Sequence, residues 1–213
     1  MKKIILSLVL VASVLTACKG EKKEKVEVKE AVEVKVNAAE LNNVDTTVSV
    51  LNWKGTKPGG AHNGTVALKS GGLLVENGKL TNGEFVIDMT TIVCLDIPAD
   101  KEGNAKLVGH LSNEDFFEVD VYPISKFVIT NVEEVEGKLA VTGNLQIKDV
   151  TKSITIPATI STENGVTVFT SESFNVDRSD FNVKYGSKKF FEGLKDKFID
   201  DIMTFSFVVK TKA

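Results

Sequence analysis

The sequence predicts an all-β fold, an antiparallel sheet of roughly eight strands, on three observations. Apolar residues recur with a period of two from Val44 onward. Asn-Gly dipeptides separate these runs, and no strand–helix alternation of the kind that builds a parallel sheet appears. A sheet apolar on one face must hide that face, either as a sandwich or by closing into a barrel.

The chain opens with Lys2 and Lys3, an apolar run of about a dozen residues, and Leu15-Thr16-Ala17-Cys18. Residues 1–17 are expected to be a signal peptide and Cys18 a lipobox cysteine carrying diacylglycerol and a palmitate-type acyl chain. The run is too short for an uncleaved span, which needs roughly 20 apolar residues. The expected location is the bacterial cell envelope, lipid-anchored. Lys19 does not resemble an Asp-type inner-membrane retention signal, so the outer membrane is preferred, with its face left open. Residues 18–43 comprise the lipidated Cys and a charged, aromatic-free tether. Its Val alternation could also pair as an edge strand. Residues 44–213 form the folded domain.

Within that domain Phe85, Ile87 and Met89 share one parity against Val86 and Asp88. Leu139, Val141 and Leu145 alternate with Ala140, Thr142 and Asn144, and Ile154 and Ile156 with Ser153 and Thr155. Met203, Phe205, Phe207 and Val209 close the pattern. Asn77-Gly78 and Asn164-Gly165 predict two-residue hairpins, with Glu136-Gly137 and Lys148-Asp149 as weaker turns. Two regions break the period. Leu107 and Leu111 predict a short helix within 90–123, and Phe190, Phe191, Leu194 and Phe198 have helix-like spacing within 187–200. Both are expected to be short helical caps or ordered loops at a barrel mouth. The second also admits a membrane-surface reading.

A net charge of −3 implies no basic surface for nucleic acid. With Cys18 lipidated, Cys94 has no disulfide partner and is expected to be a small buried apolar residue. No phosphate loop, nucleophile elbow or metal-binding pair at helical spacing is present, so no catalytic residue, metal site or cofactor is expected. The two histidines are His62 and His110. His62 shares parity with Gly64, Val66 and Leu68, which places it at the rim of an apolar stripe.

At these residues the sequence resembles the YceI-like family. The resemblance is carried by Trp53-Lys54-Gly55, Gly60 to Val66, Gly83 to Met89, Gly109-His110-Leu111, Asp115-Phe116-Phe117 and Tyr122-Pro123. It continues through Val141 to Leu145, Val150-Thr151-Lys152 and Asp177 to Phe181, in order, over about residues 44–212. It implies a lipocalin-like antiparallel eight-stranded barrel whose apolar lumen holds an isoprenoid-type lipid, such as a quinone or prenyl pyrophosphate, for storage or transport. It implies no enzymatic residues. Asn182 and Asp149 stand where the family often has Gly, and both residue types tolerate left-handed backbone.

The resulting candidate lumen residues are Trp53, Val66, Leu68, Phe85, Ile87 and Met89 from the first half. Phe127, Ile129, Leu139, Val141, Ile154, Ile156, Phe205 and Phe207 complete the set. Each isoprene unit gains roughly 4 kcal/mol against water, but the bilayer solvates the tail equally well. Specificity must therefore come from a polar head at the mouth, for which His62, His110 and Arg178 are the candidates. Arg178 could instead pair with Asp177 or Asp180. The expected partners are the lipid and the membrane that the N-terminus enters, and a homodimer stays open. Two alternatives remain: a structural or adhesive envelope protein with a filled barrel, and an enzyme acting on a lipid head group through His62 or His110.

Overall fold

The computed structural model describes residues 24–34 and 41–213. The predicted signal peptide and Cys18 lie outside the described residues. The elements are β1 (Lys29–Glu30), β2 (Val50–Lys57), β3 (Gly60–Glu76), β4 (Lys79–Asp88), β5 (Val93–Cys94), α1 (Glu102–Ser112), β6 (Ile124–Val135) and β7 (Lys138–Ile147). They continue with β8 (Val150–Glu163), β9 (Val166–Ser171), β10 (Phe174–Asp177) and β11 (Ile202–Lys210). Single 3-10 turns occupy Met89–Thr91 and Arg178–Phe181.

The sheet closes as an eight-stranded antiparallel barrel in the order β2, β3, β4, β6, β7, β8, β9, β11 and back to β2. β10 continues the line of β9 along β11. Period-two patterning produces this closure. Phe85, Ile87, Val141, Ile154, Ile156, Phe207 and Val209 all point inward and are essentially inaccessible, while their polar neighbours face water. The Asn77-Gly78, Glu136-Gly137 and Asn164-Gly165 turns have positive φ at both residues, as type I′ geometry requires. In the Lys148-Asp149 turn the left-handed residue is Lys148, not Asp149, whereas Asn182 is left-handed as expected.

The hairpins that turn at Gly78, Gly137 and Gly165 lie at one end of the barrel, and α1 lies at the other. Between the ends Phe85 packs on Phe169 and Phe207, each with centroids 5.3 Å away, and Phe127 on Phe207 at 5.7 Å. Gly143 makes room for this cluster, since a Cβ there would come within 2.5 Å of the Phe127 ring.

Two readings left open by the sequence are decided. Residues 187–200 form successive turns and no helix. Gly186, Gly193 and Lys195 have positive φ, which interrupts any helical run. Part of the expected tether is also docked. Residues 24–30 lie in the seam between β8 and β10, where β9 has ended. Lys29 and Glu30 pair with Ser153 and Lys152, and the Val26 N–H donates to the Asn175 carbonyl. Lys25 bridges Asp177 and Asp180. The Val alternation thus pairs with the barrel as an edge strand would.

Candidate functional site

The α1 end of the barrel contains an apolar cavity. It holds about 560 Å³ of space between atoms, counting its open mouth, of which about 40 Å³ is clear enough for a water-sized body to move in. Its wall includes Trp53, Val66, Ile87, Met89, Phe205 and Phe207 from the expected set, with Leu111 and Phe117 over the top. Leu68, Phe85, Phe127, Ile129, Leu139, Val141, Ile154 and Ile156 do not line it. All but Leu139 belong to the packed core around the Phe cluster, and Leu139 lies half-buried against it. The lumen is therefore half core and half cavity. Wall residues with soft, unbranched side chains, Met89 and Met203, are those best able to give way to a guest.

A second, more polar pocket of about 640 Å³, again counting open space, opens outward from the first. Trp53, Leu111 and Met203 line both. His62, His110 and Arg178 all line the outer one, so closure of the barrel brings together three residues distant in sequence. At the junction, the Trp53 indole N–H is buried and makes no hydrogen bond to any described residue. Buried donors in folded proteins are almost always paired.

The three polar residues differ in what they have left to offer. Arg178 is fully buried, and its guanidinium donates to the carbonyls of Asp200 (3.2 Å), Val183 (2.8 Å) and Ile199 (3.1 Å). It also lies 3.4 Å from the Asp201 carboxylate and stacks over Phe116. Its ionic partner is thus Asp201, not Asp177 or Asp180, which pair with Lys25. Burial pulls its pKa below the ordinary arginine value, against the opposing pull of Asp201, Asp177 and Asp200. Arg178 staples its 3-10 turn to the 183–201 segment. His110 Nε2 lies 3.2 Å from Asp115, with its ring edge-on to Phe116 and Tyr185. His62 Nδ1 lies 2.8 Å from Asp96 Oδ2.

Asp96 and Cys94 are the residues that sequence reasoning missed. Cys94 is buried as expected, but its Sγ is 3.4 Å from Asp96 Oδ1, and the ligand atoms of His62, Cys94 and Asp96 all lie within 4.8 Å of one another. No spacing in the sequence displays this grouping of metal-ligand types. β5, which brings Cys94 alongside Gly64, is two residues long and leaves no periodic trace in sequence. Burial disfavours ionisation of Asp96, but the Asn63 N–H, His62 and Cys94 hold its pKa at about 2.

Fold and site together define a small closed β-barrel with an apolar interior that opens through a polar rim, the architecture of barrels that enclose one small ligand. The chain belongs to the family of the YceI-like domain, whose model matches residues 41–211. A stretch of 55 residues is 47% identical to a UPF0312 protein of Pseudomonas savastanoi pv. phaseolicola and 44% identical to one of Pseudomonas putida. That stretch is 25% of this chain and spans 29% of the length of these relatives. BcnA of Burkholderia cenocepacia superposes with a TM-score of 0.64 at 22% identity, covering 80% of this chain and 100% of that one. A polyisoprenoid binding domain from Saccharophagus degradans, implicated in plant cell wall breakdown, superposes with a TM-score of 0.60 at 16% identity, covering 80% and 97%. At these identities the two structures establish a shared fold.

Proposed function

We propose that this protein is an envelope lipoprotein, anchored through Cys18, that holds an isoprenoid-type lipid in its barrel for storage or transport and performs no catalysis. The observation that carries the reading is the unpaired Trp53 N–H, set where the apolar cavity meets the polar pocket. A ligand with an apolar tail and an oxygen-bearing head, a quinone carbonyl or a pyrophosphate, would satisfy that donor while its tail lies against Met89, Met203 and Phe205. His62 and His110 stand within the same pocket as further head-group contacts. The polyisoprenoid binding domain of the same fold supports the choice of tail.

Exposed Phe190 and Phe191, flanked by Lys184, Lys188 and Lys189, support loading at a bilayer. They belong to the same 183–201 segment as Ile199 and Asp200, which line the mouth. The outer membrane is the proposed site because of Lys19.

The test is native mass spectrometry of full-length protein gently extracted from membranes, with lipid analysis of the released ligand. A prenyl lipid at one per chain is the expected result. An empty barrel that takes up no added quinone overturns the reading. That outcome would favour a structural envelope protein with a filled barrel, a reading the narrow clear space of the cavity also supports.

A further inference from the structure

We propose that His62, Cys94 and Asp96 form a binding site for a zinc-class divalent cation at the rim of the barrel. The inference does not rest on the lipid reading.

The three donors are the types that zinc takes: imidazole nitrogen, thiolate and carboxylate. They come from β3, β5 and the turn after β5, so only the folded chain assembles them. His62 Nδ1 to Asp96 Oδ2 is 2.8 Å and Cys94 Sγ to Asp96 Oδ1 is 3.4 Å. Tetrahedral zinc, with bonds of roughly 2.0–2.3 Å, holds its ligand atoms on the order of 3.3–3.7 Å apart. Small side-chain rotations reach that spacing.

The backbone under the site is already fixed. The Leu95 N–H donates to the Asn63 carbonyl, and the Asn63 N–H donates to Asp96 Oδ1. Asn104 of α1 donates to the carbonyls of both Cys94 and Ile97. Such outer contacts are what orient metal ligands.

The competing chemistry is an activated thiol. That requires an imidazole beside the sulfur to take its proton. Here the carboxylate of Asp96 bonds to both the imidazole and the sulfur, so a carboxylate and not the imidazole takes the thiol's hydrogen bond. A bound divalent cation favours the anionic form of a thiol and of a carboxylate alike, the two groups joined here. His62 and Asp96 are about 30% exposed, which gives an ion a path from water. Three protein ligands leave a fourth position for water.

The experiment uses full-length protein, stripped with chelator and titrated with Co²⁺ as a spectroscopic substitute, followed by Zn²⁺ competition. The expected result is one Co²⁺ per chain, a near-ultraviolet thiolate-to-cobalt charge-transfer band, and displacement by Zn²⁺. Cys94→Ser should abolish the band, and His62→Ala, whose side chain lies outside the core, should weaken Zn²⁺ binding roughly tenfold or more. Zn²⁺ should raise the thermal midpoint of the wild type and not of His62→Ala. Absence of the band in the wild type, or Zn²⁺ binding unchanged in His62→Ala, overturns the proposal. The His62→Ala arm decides the question even if Cys94→Ser fails to fold.

Discussion

Trp53 on β2 lies directly opposite Gly64 on β3, and its indole occupies space that a side chain at 64 would need. A Cβ on Gly64 would stand 2.8 Å from Trp53 Cζ2 and 1.7 Å from the Val93 carbonyl oxygen. Gly64 therefore allows both the seating of the indole at the cavity mouth and the close approach of β5. We expect Gly64→Ala to destabilise the fold by about 2 kcal/mol or more, because the nearest obstacle is backbone and cannot swing aside. Chemical denaturation measures this; a loss under about 0.5 kcal/mol would refute it.

Trp53→Phe keeps an aromatic wall but removes the unpaired N–H. The expected outcome is a stability change of no more than about 1–2 kcal/mol, since lost packing is offset by relief of a buried unsatisfied donor. Selectivity should change more than uptake. A quinone should lose its preference over a headless polyisoprene hydrocarbon in direct competition. Trp53 is the sole tryptophan of the chain, so quenching of its fluorescence reports quinone entry in the wild type.

Arg178→Ala should cost about 3–5 kcal/mol, measured by urea unfolding, whether or not lipid is bound. Removing the guanidinium leaves three carbonyls and Asp201 without their partner. A variant with wild-type stability but lost binding would instead make Arg178 a ligand contact.

Asp177 sets an acid limit on stability. Its carboxyl is buried, which opposes ionisation, yet Lys189, Ser179 and Lys25 hold its pKa at about 2, below its ordinary value of 3.8. A carboxyl depressed in the folded state contributes fully above its unfolded pKa and loses that contribution as pH falls through the folded one. We expect about 2 kcal/mol of stability from Asp177 to disappear between roughly pH 4 and pH 2, and Asp177→Asn to make that part of the profile shallower, with Asp96 still titrating there. Denaturation at a series of pH values distinguishes the two proteins.

Replacing Phe190 and Phe191 together with Ser removes two half-exposed rings. Stability should change by less than about 1 kcal/mol, while quinone transfer to anionic vesicles should slow several-fold. Equal transfer rates would place membrane contact elsewhere.

The sequence by itself determined an antiparallel all-β sheet with one face to hide, and left sandwich or barrel open. Alternation such as Phe85, Ile87 against Val86, Asp88 has a period that only a strand satisfies, and Asn-Gly turns fix where each strand reverses. It also nominated His62, His110 and Arg178 for the mouth and Trp53 for the lumen. Tertiary structure alone decided how the lumen divides. Phe85 and Met89 share one parity, yet Phe85 is locked among Phe127, Phe169 and Phe207 while Met89 lines open space, because packing depends on what arrives from across the barrel. It decided that Arg178 is a staple, since the carbonyls that hold it reach it only through the fold. It also decided that Asp96 stands between His62 and Cys94. His62 and Asp96 are 34 residues apart, and the two-residue strand that joins them carries no pattern for a sequence to display.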